Sequence, residues 1–459
     1  MRQSQHQAKA VIDSGHRWAT IYSPSVLRNI FLALGFLCAA TPARAGVEIR
    51  LWHAMNGASA AELQRLAEQF NASQSEYRVV PAYKGSYDET LAAALSGRGS
   101  PDGPHIVQVY EDGTADLMAQ KDAVRPLWQV MSEAGHPLEA KYLPAVAASF
   151  SDAKGRLLAL PFNAMTPVLY YNRDAFKRAN LDPSNPPKTW YEMPATLGAL
   201  LESGTSCPFT TAWPSWVLLE NMSAWHDQEF ATHHNGMGGD AARLSFNGRL
   251  MVRWIAVLSS WMKSGYFEYS GRGGEAEARF TSGECALLTS SSASLAELRE
   301  HARFDFAVAQ LPYYDDFDGA PHNTLAGGAG LWVLAGKPKA EYRGVARFFT
   351  FLGRPEVQAE WHQKSGYLPL TMAAYELSRK QGFYARFPGH EIAVRQLFGR
   401  NPARDAKGIR LGRFSNIRVI IHEELESVWG GTKTPLDALN AAVSRGNAVL
   451  DRLARAHRR

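Results

Sequence analysis

A row of hydroxyl side chains suggests chemistry directed at an anion. Residues 289–292 are four hydroxyl residues in succession, and a predicted helix begins near Leu295. Free backbone N–H groups at a helix start attract negative charge, and hydroxyls add further donors. These residues predict an anion site. A plain helix cap, formed by Ser294 with Glu297 three residues later, is the structural alternative.

Three arginines lie close together in the sequence, at Arg410, Arg413 and Arg418. One arginine turned inward could hold a phosphate through two parallel hydrogen bonds, while surface positions are expected for the other two. The glycine-rich residues 327–330 would allow the backbone to approach a ligand closely, although a hinge or a bulge would use the same residues.

Trp213 and Trp216 lie three residues apart, just after a predicted strand. Pro214 makes a continuous helix through Trp213 unfavourable. Paired indoles at a strand end offer a platform for a carbon skeleton, and packing in the core is the equally weighted alternative.

Motifs of catalysis are absent from the sequence. It contains no G-x-S-x-G elbow, no P-loop and no G-x-G-x-x-G after a strand. His422 and Glu423 begin like a zinc-protease helix, but Glu426 stands where the second histidine belongs. We therefore expect a binding protein with no catalytic residues, no metal and no cofactor.

Short strands alternate with amphipathic helices along the chain. Residues 47–52, 77–83 and 106–110 are predicted strands, and the first is followed by a helix whose buried face holds Leu63, Leu66, Ala67 and Phe70, with Ser59 and Glu62 as its capping box. A second set of strands is predicted at 168–171, 208–211 and 286–289, and a helix at 435–454. This alternation predicts an α/β fold with mainly parallel sheets, which bind ligands beyond the carboxyl ends of their strands.

Length and charge narrow the class of protein. The 459 residues suggest two domains. The net charge of +5 comes mostly from residues 1–45, where five basic residues face one acidic residue. The remainder is nearly neutral, which argues against nucleic-acid binding through bulk electrostatics.

The first 45 residues have the features of a signal peptide. Arg28 precedes an apolar run at residues 30–40, which is too short to span a bilayer, and Ala43 and Ala45 form an A-x-A cleavage pattern. We expect cleavage after about Ala45 and export to the periplasm. An oxidising compartment would allow a disulfide between Cys207 and Cys285, and two free thiols remain the alternative.

Several segments carry a family resemblance. The chain resembles the periplasmic glycerol-3-phosphate-binding proteins of Ugp-type ABC importers, within the extracellular solute-binding proteins that include the maltodextrin binders. The matching segments include YKGSYDETL, IVQVYEDGTA, TPVLYYNRDAF, LENMSAW, GGAGLWVLAGK, WHQKSGYLPLT and EELESVWGGTKTP.

The resemblance implies two lobes, each with a central sheet flanked by helices, and a ligand cleft between them. Lobe 1 would comprise residues 46–162 and 325–375, and lobe 2 residues 163–324 and 376–459. The resemblance also implies a monomer that delivers its small-molecule ligand to permease and ATPase subunits at the inner membrane. The implied ligand-binding residues are Tyr87, Glu111, Ser291, Gly328, Tyr367, Arg418, Trp213 and Trp216.

One departure from the family pattern bears on the ligand. The family has a serine pair before Thr-Pro, where this chain has Ala164 and Met165. Methionine cannot donate the hydrogen bond of a serine, which is worth about 1 kcal/mol. The ligand is therefore expected to be glycerol 3-phosphate or a larger glycerophosphodiester such as glycerophosphocholine. An oligosaccharide binder and an exported phosphodiesterase are the alternatives.

Overall fold

The computed structural model describes residues 46–120, 122–239, 241–398 and 407–457. The predicted signal peptide lies outside the described residues. Within them the chain forms two sheets surrounded by helices. The strands are β1 Val47–His53, β2 Tyr77–Tyr83, β3 Ile106–Tyr110, β4 Val124–Arg125, β5 Leu160–Met165, β6 Pro167–Asn172, β7 Cys207–Thr211, β8 Phe267–Tyr269, β9 Cys285–Ser291, β10 Phe306–Ala309 and β11 Gly327–Leu334.

Helices flank both sheets, and the sequence predicted the face that the first of them buries. Helix Gly57–Ala72 buries Leu63, Leu66, Ala67 and Phe70, as expected. The regular α-helices are Gly57–Ala72, Tyr87–Ser96, Thr114–Ala119, Leu127–Glu133, Pro144–Ala148, Arg173–Arg178, Met193–Glu202, Asn221–Trp225, Arg249–Lys263, Glu275–Thr281, Leu295–His301, Lys339–Leu352, Pro355–Ser365, Met372–Lys380, Phe383–Arg386, Pro388–Leu397, Phe414–Trp429 and Pro435–His457.

The expected capping box of the first helix is wrong. The helix begins at Gly57, with Asn56 as its N-cap, so Ser59 already lies in the first helical turn. Glu62 instead accepts a hydrogen bond from Arg65 Nε at 2.8 Å. Arg65, one turn further along the helix, therefore pairs with the Glu62 carboxylate that the expected capping box would have used.

Both sheets are mixed rather than mainly parallel. The first has the strand order β2-β1-β3-β11-β4, with β5 also pairing with β11, and the second has the order β10-β6-β9-β7-β8. Strand β11 runs antiparallel to its three neighbours in the first sheet, β3, β4 and β5. The parallel pairs are β1 with β2 and β3, and β7 with β8 and β9.

The Cys207–Cys285 disulfide links two adjacent strands of the second sheet. The two cysteines lie directly opposite each other in the parallel register of β7 and β9. Both are fully buried. Of the two alternatives that the sequence left open, a disulfide and two free thiols, the structure contains the disulfide.

Thr166 lies between β5 and β6 and carries the chain from the first sheet to the second. Its Oγ1 lies 2.6 Å from Thr324 Oγ1 and donates to the Leu325 carbonyl oxygen at 3.1 Å. Thr324 and Leu325 belong to the segment that returns to β11. Buried hydrogen bonds therefore join the two crossing segments side by side. The lobe boundaries at 162/163, 324/325 and 375/376 remain a prediction.

Candidate functional site

Arg418 lies where residues of both sheets meet. It projects from helix Phe414–Trp429 and forms a bidentate pair with Glu220, with Nε to Oε1 at 2.9 Å and Nη2 to Oε2 at 2.7 Å. Glu220 ends a π-helix, Ser215–Glu220, and also accepts a hydrogen bond from Ser215 Oγ at 3.0 Å. The guanidinium is therefore held in one orientation.

The same guanidinium reaches two carboxylates that follow β3. Arg418 Nη2 lies 3.1 Å from Glu111 Oε1, and Nη1 lies 3.2 Å from Asp112 Oδ2. We call Arg418, Glu111, Asp112 and Glu220 the Arg418 cluster. It bridges the two sheets because Glu111 and Asp112 continue from the first sheet, whereas Glu220 lies beyond β7 of the second.

The Arg418 cluster contains more negative than positive charge. The pKa of Glu111 is raised to about 8: burial raises it most and Asp112 and Glu220 add to this, while Arg418 and the Gly328 N–H oppose it. Burial would lower the pKa of Arg418, but Glu220 and the other carboxylates raise it well above its usual value. The guanidinium therefore stays charged, and Glu111 retains a proton more readily than an ordinary glutamate.

The space enclosed by the cluster is small. A cavity of about 10 Å³ is lined by residues that include Glu111, Trp216, Glu220 and Arg418. That volume suits one water molecule rather than a glycerol compound.

Gly328 in β11 brings a backbone donor to the cluster. Its N–H donates to Glu111 Oε2 at 2.9 Å. The φ of Gly328 is +131°, and a Cβ at this position would lie 2.0 Å from the Asn163 carbonyl oxygen. Glycine is therefore required by both the backbone conformation and the close approach of β5.

The structure separates the two predicted tryptophans into different environments. Trp216 is 6% exposed, and its ring lies against the backbone of Gly327. Trp213 is 46% exposed and has a φ of 51°. Its backbone N–H donates to the Gly273 carbonyl oxygen at 2.8 Å. Trp213 thus offers an open aromatic face, while Trp216 forms part of the wall.

Two predicted tyrosines lie on the first-sheet side. The Tyr87 ring lies 5.0 Å from the ring of Tyr110, and its pKa is raised by burial and then by the neighbouring Tyr367 and Glu111. The Tyr367 ring stacks on Trp361 at 5.8 Å. Burial also raises the pKa of Tyr367, so both hydroxyls remain protonated donors.

The hydroxyl run is divided among different partners. Thr289 donates to Thr211 Oγ1 at 2.8 Å, and Ser292 Oγ accepts from the Thr166 N–H at 3.2 Å. Ser290 donates to Glu277 Oε1 at 2.5 Å. Ser291 Oγ lies 3.1 Å from the sulfur of Met165, the residue that departs from the family pattern.

The cap predicted for helix Leu295–His301 is wrong, although the helix begins at Leu295 as expected. The Ser294 side chain accepts no capping hydrogen bond from the first helical turn, and its hydroxyl donates to Glu277 Oε1 at 2.6 Å.

The surface position expected for Arg410 is also wrong. Its Nη2 donates to three backbone carbonyls, of Ala148, Ser149 and Ser151. Burial lowers its pKa. Arg413 is exposed, as expected. These contacts hold Arg410 half-buried beside the end of helix Pro144–Ala148.

Sequence reasoning missed three acidic residues near the site, Asp112, Glu220 and Glu277. Asp112 and Glu220 stand within the family-like segments IVQVYEDGTA and LENMSAW. Their role depends on contacts with Arg418 across 306 and 198 residues of chain, which spacing alone does not reveal.

The described ranges contain neither a cluster of metal-ligating side chains nor a membrane-spanning helix. No group of three or more histidine, cysteine, aspartate or glutamate side chains there could hold a metal ion. In the same ranges, no helix combines the length and the apolar character needed to cross a bilayer.

Comparisons with known proteins place the chain among binding proteins. The family model described as bacterial extracellular solute-binding protein matches residues 65–385. The sn-glycerol-3-phosphate-binding periplasmic protein UgpB of Yersinia enterocolitica is 48% identical over 412 residues, which cover 89% of this chain and 94% of that protein. The protein of the same name from Escherichia coli O1:K1 is 48% identical over 423 residues, covering 92% and 96%.

Two solved structures share the fold. Mycobacterium tuberculosis UgpB in complex with glycerophosphocholine has a TM-score of 0.72 at 22% identity, covering 89% of this chain and 99% of that one. The cyclic α-maltosyl-1,6-maltose binding protein of Arthrobacter globiformis has a TM-score of 0.70 at 21% identity, covering 88% and 99%. These likenesses confirm the two-lobed α/β architecture expected from the sequence.

Proposed function

This chain belongs to the bacterial extracellular solute-binding proteins, and we propose that it captures phosphorylated glycerol compounds in the periplasm and delivers them to an ABC importer. The relatives named as sn-glycerol-3-phosphate-binding periplasmic proteins support the ligand class and the compartment. The supporting observation in the structure is Arg418, which contacts Glu111 and Asp112 on one side and Glu220 on the other.

We infer that the polyol end of the ligand binds at the Arg418 cluster. The sequence suggested that Arg418 clamps a phosphate, but three carboxylates already surround its guanidinium. A phosphate among them would face like charges, whereas a glycerol hydroxyl can donate to a carboxylate and accept from the guanidinium.

The ligand's phosphate binds at the hydroxyl donors of the site rather than among the carboxylates around Arg418. Ser291, Tyr87 and Tyr367 are hydroxyl donors, and burial keeps both tyrosines protonated. Trp213 offers its exposed ring to the carbon skeleton between the two ends. Neutral donors can bind a phosphate without a cation when enough of them converge on it.

Capture proceeds by closure of the two lobes. The hinge lies at the crossing segments around Thr166 and Thr324, and the ligand favours closure by the difference in its affinity for the closed and open states. The closed protein, acting as a monomer, then presents its ligand to the permease and its ATPase. No bond in the ligand is made or broken, so the protein is not an enzyme.

Calorimetry with a ligand panel tests this function. The exported form, beginning near Gly46, is titrated with glycerol 3-phosphate, glycerophosphocholine and maltotriose. We expect dissociation constants in the micromolar range, about −8 kcal/mol, for at least one phosphorylated compound and no heat from maltotriose. Binding of maltotriose alone would support the oligosaccharide alternative and overturn the proposal. Release of free glycerol or choline from the diester would identify a phosphodiesterase.

A further inference from the structure

Glu277 is an acidic residue beside the site whose function is not explained by the Arg418 cluster. It lies on helix Glu275–Thr281, next to the end of β9. Its Oε1 accepts hydrogen bonds from Ser290 Oγ at 2.5 Å and from Ser294 Oγ at 2.6 Å. These two serines bracket Ser291, so Glu277 holds the segment that presents the Ser291 hydroxyl.

Glu277 also contacts the segment that follows β7. A Cβ built on Gly274 would lie 3.3 Å from Glu277 Oε2 and 3.5 Å from Trp213 Cζ2, so the carboxylate and the indole flank the same glycine. The Trp213 side chain also lies close enough to Glu277 to lower the pKa of the carboxyl. One carboxylate therefore connects two of the segments proposed to contact the ligand.

The negative charge of Glu277 has no cationic partner among the described residues. Its partners there are two hydroxyls and an indole N–H, and no ion pair joins it. Its pKa lies above the usual value, because burial and Glu297 raise it by more than the three neighbouring donors lower it. Neutral donors stabilise the ionised carboxylate but do not cancel its charge, so its field extends into the neighbouring site.

We propose that Glu277 determines the preference between phosphate monoesters and phosphodiesters, because its charge beside Ser291 and Trp213 disfavours a doubly charged phosphate more than a singly charged one. This inference rests on the proposed function, which places the ligand phosphate near Ser291. A monoester carries nearly two charges at pH 8, whereas a diester phosphate carries one. If the phosphate lies about 10 Å from the Glu277 carboxylate in a medium of effective dielectric constant 20, repulsion of its second charge lowers the affinity for the monoester roughly tenfold.

Removing the charge while keeping the shape tests the proposal. Glu277→Gln is titrated at pH 8 with glycerol 3-phosphate and with glycerophosphocholine, beside the wild-type protein. We expect the ratio of the two dissociation constants to shift roughly tenfold in favour of the monoester. Glu300→Gln removes an exposed acid from the neighbouring helix and should leave the ratio unchanged.

Glu277→Asp separates charge from packing. The shorter side chain keeps the charge but loses reach toward Ser290 and Ser294, so both affinities should fall while their ratio stays within about twofold of wild type. A purely structural role for Glu277 would change both affinities in each variant and leave the ratio alone. If Glu277→Gln fails to fold, Glu277→Met supplies a neutral side chain of similar length.

The outcomes distinguish this inference from the proposed function. Wild-type protein that binds neither phosphorylated compound overturns the proposed function and the inference together. If the wild-type protein binds the compounds but the ratio of the two dissociation constants is unchanged in the neutral variants, the role of Glu277 is overturned and the proposed function stands. The same conclusion follows if Glu277→Asp shifts the ratio as much as the neutral variants do. A shift confined to the neutral variants supports it.

Discussion

Replacement of Arg418 by methionine removes the cation that joins the three carboxylates of the Arg418 cluster. The Arg418 side chain is 15% exposed and that of Glu220 only 2%, so the carboxylates would be left largely buried without their partner. Breaking a buried pair costs about 3–5 kcal/mol of unfolding free energy. Asp112, at 17% exposed, can regain some water, which places the expected loss near the lower value of about 3 kcal/mol.

The same substitution should weaken ligand binding. Truncation of a buried charged contact typically costs about 2–5 kcal/mol in binding free energy, which corresponds to at least about a 30-fold rise in the dissociation constant. Calorimetric titration gives the affinity, and guanidinium chloride unfolding of the same preparation gives the stability. Both measurements are made on the exported form with its disulfide intact.

Arg272→Met is the comparison variant. Arg272 also forms a bidentate pair, with Glu426 on the same helix as Arg418, but the two side chains are 42% and 34% exposed. An exposed pair contributes at most about 1 kcal/mol, so this variant should lose little stability and no affinity. Equal stability losses in the two variants would refute the description of the Arg418 cluster as a buried network. An unchanged affinity in Arg418→Met would remove Arg418 from the ligand site.

Three further predictions concern Glu111, the disulfide and Met165. Because the pKa of Glu111 is raised to about 8, mainly by burial, the folded protein holds a proton that the unfolded chain releases, so the stability that Glu111 contributes to the ligand-free protein should fall as pH rises from about 5 to 8, by at most about 1.4 kcal/mol per pH unit. Urea unfolding at four pH values should show this slope in the difference in stability between wild type and Glu111→Gln; a difference that stays constant with pH would contradict it. The disulfide closes a separation of 78 residues, so replacing Cys207 and Cys285 by alanine should cost about 4 kcal/mol in urea unfolding, and an unchanged midpoint would exclude the bond. Met165→Ser places a hydroxyl donor beside Ser291 and should tighten glycerol 3-phosphate binding about fivefold by calorimetry, whereas unchanged affinity would place the phosphate elsewhere.

Local patterns in the sequence predicted individual elements well. The strands Tyr77–Tyr83 and Ile106–Tyr110 match the expected bounds, because runs of β-branched and aromatic residues ended by breakers determine a strand locally. The helix at the C-terminus begins at Pro435 as expected, since proline suits a first helical turn.

Long-range contacts account for what the sequence did not predict. The mixed pairing of the first sheet depends on β11, which joins β3 after a long excursion through the second sheet. The family resemblance supplied the predicted site residues, but it did not predict which charged side chains surround them. Glu220 and Arg418 lie 198 residues apart, so the sequence showed an arginine that could bind phosphate and not the carboxylates that already surround it.

Mass spectrometry of the small molecule that remains with the protein tests the central claim most directly. The protein is purified from the exported fraction without denaturation, and its ligand is released and weighed. The account predicts about one intact phosphorylated glycerol compound per chain, lost on purification of Arg418→Met. A hexose oligomer in its place would contradict the account, as would a compound without phosphorus.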